Sequence, residues 1–149
     1  MTTDHKFPAR LDRDESGRIV VSFRDVPEAL TDGADRAEAL SEAEDALLVA
    51  LAGYVDDARN PKPLPRPSRK RQGEVVIALP LLASAKLALH DAMREAGING
   101  TDLARKMDLP VTAVRRLLNL HHNSKIEQVA LALATLGKRA EIRVSDAVL

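Results

Sequence analysis

Residues 98–120 constrain the fold of this chain more than any other stretch, because they predict two short amphipathic helices joined by a tight turn. Each helix has one apolar face, and the two faces can pack against each other. A crossing this close requires a small side chain, which Ala104 provides. The inward positions are Leu103, Ala104 and Met107 on the first helix and Val114, Leu117 and Leu118 on the second. This pattern is typical of a helix-turn-helix and predicts DNA binding.

The outer face of the second helix carries polar, basic and small side chains. Arginine can contact phosphates and guanine edges, asparagine can contact adenine, and small side chains can contact thymine methyl groups. The predicted DNA-binding residues are Thr112, Ala113, Arg115, Arg116 and Asn119. The prediction of DNA binding rests mainly on the two arginines. The alternative is an ordinary packed helical hairpin with a solvated basic face.

The turn departs from the usual pattern of a glycine followed by a small capping residue. Asp108 stands in place of the glycine, and aspartate can adopt the left-handed conformation at a strain of about 1 kcal/mol. Pro110 suits the first position of a helix, where no backbone donor is needed. Leu109, between them, is expected to fill the corner between the two helices.

Charge is unevenly distributed along these 149 residues, whose net charge is zero. Residues 1–59 carry seven Lys and Arg against fourteen Asp and Glu, a net charge of −7, whereas residues 60–149 carry fifteen against eight, a net charge of +7. An acidic half suits a basic partner, and a basic half suits DNA. We therefore expect two domains, one over residues 1–80 and a DNA-binding and oligomerisation domain over residues 81–149.

The acidic half predicts a small antiparallel sheet covered by a helix, which is an α+β class. Alternating apolar residues indicate strands over 7–12 and 19–23, joined by a polar loop that ends at Gly17. Further short strands are expected over 29–32 and 75–79. Asp35 and Glu38 can cap a helix of about five turns. Its expected inward residues are Leu40, Ala43, Leu47, Ala50, Leu51 and Tyr54.

Residues 60–72 form a proline-rich, basic segment inside the first domain. Prolines at alternate positions from Pro61 to Pro67 exclude a helix and an inner strand, and they favour an extended spacer. The cluster Arg69-Lys70-Arg71 follows. It can contact DNA or form a solvated loop, and the solvated loop is the preferred interpretation.

The basic half predicts an all-α domain that ends in a short strand. Its first helix is expected over Leu81–Ala96, ended by Gly97, with Leu82, Ala85, Leu89, Ala92, Met93 and Ala96 inward. Beyond the helix-turn-helix, Ser124 and Glu127 predict a capping box for a last helix, which Gly137 stops. Alternation over residues 141–144 predicts the closing strand. A second subunit could pair with its edge, because operator-binding proteins are usually twofold symmetric. We expect a homodimer and leave a tetramer open.

Several classes of function are disfavoured by what the sequence lacks. The absence of cysteine excludes disulfides, thiolate metal sites and cysteine nucleophiles. Asp12, Asp14 and Glu15 crowd one loop, whereas a two-metal site needs carboxylates that converge from several elements. The histidines His5, His90, His121 and His122 lack the spacing of two ligands on one helical face. We expect no catalytic residue, no metal site and no cofactor.

The sequence also carries no signal for export or membrane insertion. The amino terminus lacks the apolar core of a signal peptide. The longest apolar run, over residues 75–83, is interrupted by Pro80 and is too short to cross a bilayer. We expect a cytoplasmic protein.

Both halves together resemble the HicB antitoxins in their longer form, which carries a Cro-like helix-turn-helix. The resemblance covers nearly the whole chain. It rests on Phe7-Pro8-Ala9-Arg10-Leu11, residues 17–22, residues 25–33, Glu38-Ala39-Leu40 and Ala46-Leu47. It implies a reduced ribonuclease H-like amino-terminal domain without nuclease activity, which binds and occludes HicA, a small basic mRNA-cleaving toxin. It also implies that the carboxy-terminal domain binds the operator of the shared operon, so the antitoxin is an autorepressor.

Six acidic residues near the predicted strand ends are candidate contacts for such a toxin, since an acidic surface and a basic RNA-binding protein have complementary potentials. They are Asp12, Asp14, Glu15, Asp25, Glu28 and Asp32. Each has an alternative interpretation as a solvated turn or cap residue.

Two other functions stay open. One is a one-component transcription regulator whose amino-terminal domain senses a small molecule, which would require an enclosed pocket with converging polar groups. The other is a structural oligomerisation protein, which would give Arg115 and Arg116 no role.

Overall fold

The computed structural model describes residues 5–56 and 63–146 of the chain. These residues form four strands and five helices, so the predicted α+β class is confirmed. The chain divides into two compact units. The sheet unit comprises Met1–Gly53, Pro65–Leu79 and Asp146–Leu149, and the helical unit comprises Tyr54–Leu64 and Pro80–Ser145.

The sheet unit contains a four-stranded antiparallel sheet in the order β3-β2-β1-β4. Its strands are β1 (Lys6–Arg13), β2 (Ile19–Ser22), β3 (Leu30–Gly33) and β4 (Glu74–Ala78). The central strand β1 pairs on both sides, with Leu11 opposite Val21 on β2 and Phe7 opposite Ile77 on β4. Strands β3 and β4 each lie one residue away from the predicted ranges, a shift that is common at strand ends.

Alternation along the strands places one face of the sheet in the core. Phe7, Ala9 and Val21 are fully buried. Helix α1 (Arg36–Val55) buries a stripe in the same unit, which consists of Ala39, Ala43, Leu47, Leu51 and Ala52. Of the other predicted inward residues, Leu40, Ala50 and Tyr54 are half-buried. Small and aliphatic side chains therefore build most of this core, to which Phe7 and Phe23, the two phenylalanines of the chain, also belong.

Two local features fix the start of α1. The Oδ1 atom of Asp35 accepts a hydrogen bond of 2.8 Å from the backbone N–H of Glu38, so the predicted cap is formed. Gly33 lies against the first turn, where a Cβ atom would stand 2.4 Å from the backbone nitrogen of Ala39. Any side chain at position 33 would therefore push the helix away from β3.

Residues 65–72 of the proline-rich segment form a loop that polar contacts tie to the sheet unit, whereas Pro63 and Leu64 belong to the helical unit; residues 60–62 of this segment lie outside the described residues. Asp25 accepts hydrogen bonds from the backbone N–H and the hydroxyl of Ser68, at 2.8 Å and 2.6 Å. Arg24 donates to the carbonyl of Arg69 at 2.6 Å and to the carboxylate of Glu74 at 2.9 and 3.0 Å. The basic cluster therefore belongs to a tethered loop.

The helical unit contains α2 (Leu81–Ala96), α3 (Gly100–Met107), α4 (Val111–Leu118) and α5 (Ile126–Thr135). Helix α2 has the predicted bounds, and Gly97 ends it with a φ of 67°. All four helices contribute to one core, through Leu89, Ala92, Met93, Leu103, Ala104, Val114, Leu117, Val129, Ala132 and Leu133. Among the described residues, no helix combines the length and the apolarity that a membrane crossing requires.

Four predictions for this unit are wrong. Ser124 does not cap α5: the N-cap residue is Lys125, and the Ser124 hydroxyl is engaged with another helix. Leu109 does not fill the corner of the turn but is 40% exposed, and it contributes to the turn through its backbone N–H, which donates to the carbonyl of Ala104. Ala96 is exposed, since α2 ends there.

The fourth wrong prediction is the closing strand over residues 141–144, which has no regular structure. A strand needs a neighbour to share its backbone hydrogen bonds. In the described part of the single chain, all four strands belong to the one sheet of the sheet unit, and none pairs with these residues.

Candidate nucleic-acid interface and acidic surface

Helix α3, the first helix of the predicted helix-turn-helix, begins at a reciprocal cap. The Oδ1 atom of Asn99 accepts a hydrogen bond of 2.9 Å from the backbone N–H of Asp102. In return, Oδ2 of Asp102 accepts one of 3.1 Å from the backbone N–H of Asn99. This capping box satisfies two backbone donors that a helix start leaves unpaired, and it fixes the residue at which α3 begins.

The turn between α3 and α4 is closed by backbone hydrogen bonds. Asp108 adopts the left-handed conformation, with φ 54° and ψ 49°, as predicted. The N–H of Leu109 donates to the carbonyl of Ala104 at 2.9 Å, and the N–H of Asp108 donates to that of Arg105 at 3.3 Å, which is a Schellman ending. Pro110 is the N-cap residue of α4, one position before the helical position predicted for it.

The inward faces of α3 and α4 are those predicted. Leu103 and Val114 are fully buried, while Ala104 and Leu117 are each 3% exposed. Met107 and Leu118 are half-buried against the same core. The packing of the two helices therefore confirms the inward faces predicted from helical periodicity.

The predicted DNA-binding residues lie on or next to the outer face of α4. Thr112, Arg115 and Arg116 are exposed on the helix, Asn119 is exposed at its C-cap, and Ala113 is half-buried. Neither arginine forms an ion pair with another residue in the described ranges. Two neighbouring guanidinium groups without an internal partner can form hydrogen bonds to phosphates or base edges.

A buried lysine on α2 binds the end of α4. Lys86 is 0% exposed, and its Nζ donates to the carbonyl oxygens of Arg116 at 3.0 Å, Asn119 at 2.7 Å and His122 at 2.7 Å. A fourth acceptor is Oγ of Ser124 at 2.9 Å. An ammonium group has three hydrogens, so these four acceptors share them. Burial lowers the pKa of Lys86, and the surrounding oxygens compensate the buried charge.

A histidine one turn further along α2 completes this clamp. Nε2 of His90 donates to the carbonyl of Leu118 at 2.8 Å, because a carbonyl oxygen can only accept. The last carbonyl groups of a helix lack partners within it and carry the negative end of its dipole. Lys86 and His90 supply those partners, and burial lowers the pKa of His90. We call Lys86 and His90 the α2 clamp.

The periodicity argument missed the α2 clamp. Lys86 falls between Leu82 and Leu89 on the apolar side of the predicted helix, and a charged residue in an apolar stripe was the available signal. Its partners left no signal, since three of them are backbone carbonyls. Ser124 is the exception, and its hydroxyl also donates to the carbonyl of Arg116 at 3.2 Å.

Asp12, Asp14, Asp25 and Asp32, four of the carboxylates predicted to face a basic partner, form the following contacts within the sheet unit. Oδ1 of Asp14 accepts hydrogen bonds of 2.9 Å from the backbone N–H groups of Ser16 and Arg18, so it shapes the β1–β2 loop. Asp25 binds Ser68 as described above. The remaining two form ion pairs: Oδ2 of Asp12 lies 3.0 Å from Nε of Arg10, and Oδ2 of Asp32 lies 2.8 Å from Nε of Arg18. The bond from Arg18 lowers the pKa of Asp32.

Glu15 and Glu28, the other two candidates, are exposed in the β1–β2 and β2–β3 connections. The six residues therefore belong to two connections and to strands β1 and β3. The interpretation as turn and pairing residues applies to Asp12, Asp14, Asp25 and Asp32.

Helix α1 carries a further acidic surface that the strand-end argument missed. Glu38, Glu42 and Asp45 are exposed and spaced so that they share one face of the helix, and we call them the acidic row of α1. Arg18 lies 3.9 Å from Glu38, whereas Glu42 and Asp45 form no ion pair with any residue that the structure describes. The available signal in the sequence was the spacing of Glu38, Glu42 and Asp45, which are four and three residues apart.

Comparison with known proteins gives one consistent result. The family model described as "HicB_like antitoxin of bacterial toxin-antitoxin system" matches residues 6–88. Antitoxin HicB 2 of Photorhabdus laumondii subsp. laumondii is 37% identical over 142 residues, which cover 95% of this chain and 98% of that protein. Antitoxin HicB of Escherichia coli strain K12 is 38% identical over 137 residues, which cover 92% and 97%. Antitoxin HicB of Pseudomonas fluorescens strain Pf0-1 is 36% identical over 135 residues, which cover 90% of each chain.

Proposed function

The chain belongs to the HicB-like family of bacterial antitoxins, and from that membership we propose that it binds and neutralises a HicA-like mRNA-cleaving toxin through its sheet unit. We further propose that its helical unit is a Cro-like helix-turn-helix that binds operator DNA and represses the chain's own operon. In this proposal the expected domains over residues 1–80 and 81–149 correspond to these two tasks.

The observation that carries the DNA proposal is the pair Arg115 and Arg116, exposed on a helix whose end is held by the α2 clamp. Base readout requires side chains on an element with a fixed position, since a loosely held helix spreads its contacts over many geometries. The Schellman turn fixes one end of α4, and Lys86 and His90 fix the other. Thr112, Ala113 and Asn119 complete the proposed contact set.

Charge supports the toxin proposal. The amino-terminal 59 residues carry a net charge of −7, and a toxin that cleaves mRNA must present a basic surface to phosphates. An acidic surface placed on that region would speed association and block the substrate. To the six strand-end carboxylates we add Glu42 and Asp45 of the acidic row of α1 as proposed contacts, because both are exposed without an internal ion pair among the described residues.

We propose no catalytic role, metal site or cofactor for this chain. The carboxylates of Asp14 and Asp25 accept hydrogen bonds from backbone and hydroxyl donors of the loops, as expected of carboxylates with a structural role. We also propose that the protein acts in the cytoplasm, where mRNA and operator DNA are found, and that it does so as a homodimer or a dimer of dimers.

Growth rescue tests the toxin proposal. Co-expression with a HicA-like toxin from the same operon should restore growth, and the Arg115→Ala/Arg116→Ala variant should restore it equally. A gel-shift assay with the operon's promoter DNA should show binding by the natural chain and none by that variant. If the variant loses both activities, the assignment of one task to each unit is wrong.

The same experiment separates the alternative function. A chain that binds its promoter but leaves the toxin active would favour the one-component regulator, and screening of small molecules against promoter binding would then follow. Variants Glu42→Lys and Asp45→Lys should weaken rescue without changing promoter binding, and unaltered rescue by both would remove the acidic row of α1 from the proposed toxin contact.

A further inference from the structure

The loop before β4 carries three consecutive cations in the part of the chain that is otherwise acidic. Arg69, Lys70 and Arg71 are all exposed, whereas residues 1–59 carry a net charge of −7. Cations that only balanced those carboxylates would form ion pairs with them. The side chains of these three residues form no ion pair with any residue that the structure describes, and Arg71 reaches Glu74 only through its backbone N–H, at 2.7 Å. We call these three residues the basic loop cluster.

The two carboxylates that contact this loop are engaged in holding it. Asp25 accepts the hydrogen bonds from Ser68, and Glu74 accepts those from Arg24. Arg24, Asp25 and Glu74 together carry one negative charge, whereas the basic loop cluster carries three positive charges. The loop therefore has a surplus of positive charge that its own contacts leave unbalanced.

Backbone contacts give the cluster a fixed position on the sheet unit. Arg24 donates to the carbonyl of Arg69 at 2.6 Å. At the other end of the cluster, the N–H of Glu74 donates to the carbonyl of Arg71 at 3.1 Å, and Gly73 provides the φ of 85° that this turn requires. A segment that is already ordered loses little conformational freedom on binding. The cluster thus differs from a charged tail, which would have to be ordered by its ligand.

We infer that the basic loop cluster is a second phosphate-binding surface, which contacts the backbone of duplex DNA beside the operator. Adjacent cations without a matching set of acceptors suit phosphates, which carry no sequence information, rather than base edges. Single-stranded nucleic acids are bound largely by stacking of their bases on aromatic side chains. Residues 63–73 contain no aromatic side chain, so the chemistry of the loop favours a duplex.

A short connection links this cluster to the helices proposed to bind the operator. Arg71 stands ten residues before Leu81, the first residue of α2. Ten residues of fully extended chain span at most about 35 Å, about one turn of duplex DNA. A second contact made through so short a connection benefits from a high effective concentration of phosphates. The inference rests on the proposed operator binding and adds a sequence-independent contact to it.

Fluorescence anisotropy of the full chain on promoter DNA, measured over a range of salt concentrations, tests the inference. With about two helical turns of DNA on each side of the operator, Arg69→Gln/Lys70→Gln/Arg71→Gln should raise the Kd at least tenfold at about 0.1 M salt. The slope of the logarithm of the binding constant against that of salt should become shallower by about 2–3 for each chain bound. On a duplex trimmed to the operator, the variant and the natural chain should bind alike.

Two further variants separate the position of the cations from their number. Lys6→Gln/Arg10→Gln/Arg36→Gln removes three exposed cations elsewhere in the sheet unit, with the same change of net charge, and should keep the slope of the natural chain. Arg69→Lys/Arg71→Lys retains the charge and should also keep that slope, since the contact is to phosphate. All three variants should have the Tm of the natural chain, because the replaced side chains are exposed.

The inference is overturned if the triple glutamine variant of the loop keeps the slope of the natural chain, or if both triple variants change it equally. It is also overturned if the loop variant weakens binding to a single-stranded RNA of the same length but not to the duplex. In each of these cases the natural chain still binds the promoter and the Arg115→Ala/Arg116→Ala variant does not, so the proposed function stands. If the natural chain itself fails to bind the promoter, the proposed operator binding is wrong and the inference falls with it.

Discussion

The ammonium group of Lys86 on α2 lies 2.7 Å from the backbone carbonyl of Asn119, the residue that ends α4. This contact gives α2 two tasks, because the same helix buries Leu89 and Met93 in the core. Because the ammonium group of Lys86 binds backbone carbonyls, the contact depends on where the end of α4 lies and not on which side chains that end carries. The orientation of Arg115 and Arg116 thus depends on a helix that carries no proposed DNA contact.

The first prediction concerns Lys86. Lys86→Met should lower the free energy of unfolding by about 3 kcal/mol, because it removes a buried ammonium group that donates to three part-buried carbonyls and to a buried hydroxyl. It should also weaken operator binding at least tenfold, since the end of α4 is released, and should leave toxin neutralisation unchanged. Urea denaturation and gel-shift titration measure the two effects. Lys125→Met removes an exposed lysine and is the matched control; equal stability of the two variants would contradict the clamp.

The second prediction concerns the pH dependence of the helical unit. Burial, with a smaller contribution from the charge of Lys86, lowers the pKa of His90 in the folded chain, whereas the hydrogen bond to Leu118 and the charges of Asp91 and Asp56 oppose this shift. As the pH falls, His90 therefore takes up its proton at a higher pH in the unfolded chain than in the folded chain. The contribution of neutral His90 to stability is complete above about pH 6.5 and decreases below that value. His90→Gln should flatten this decline in urea denaturation, while His121→Gln, at an exposed position, should reproduce the natural curve.

The third prediction concerns acid stability of the sheet unit. The bonds from Arg24 and from the backbone of Arg71 lower the pKa of Glu74 from 4.5 to about 2. Because the pKa is depressed in the folded state, this stabilisation is complete above pH 4.5 and is lost as the pH falls towards 2. Glu74→Gln should lower the Tm at pH 7, and the difference from the natural chain should vanish in that window. Glu15→Gln, in the exposed loop, should match the natural chain throughout; a difference that persists at the lowest pH would refute the role of this ion pair.

The fourth prediction concerns the salt dependence of DNA binding. The logarithm of the binding constant should fall linearly with the logarithm of salt concentration, and Arg115→Ala/Arg116→Ala should make the slope shallower by about 2. Arg115→Lys/Arg116→Lys keeps the charge but loses the planar fork of donors. That variant should keep the slope and lose discrimination between operator variants, which competition gel shifts measure. A slope unchanged by the alanine variant would mean that neither arginine contacts phosphate.

Local patterns predicted the features that are encoded locally. The ends of α2, the left-handed Asp108 and the inward faces of α3 and α4 follow from periodicity and from turn chemistry within a few residues. Family membership follows from residues spread along the chain, and the comparisons confirm it.

Features that depend on distant partners could not be predicted in the same way. Ser124 and Glu127 have the spacing of a capping box, but the hydroxyl of Ser124 binds Lys86, a residue on another helix. The partners of Lys86 are mostly carbonyl groups, which every residue possesses. Contact surfaces for a second protein are harder still, because exposed carboxylates such as Asp12 and Glu42 show no periodicity that would separate binding from solvation.

The pairing of β1 with β4 places Lys6 opposite Ala78. One of the two partners of the central strand β1 is therefore distant from it in the sequence. A ribosome releases β1, β2, β3 and α1 first, while the second edge of β1 is still open. Closing such a long loop is slow compared with forming a hairpin. A newly made chain therefore passes through a stage in which β1 is paired along one edge only, and the sheet can be completed only after residues 74–78 have been synthesised.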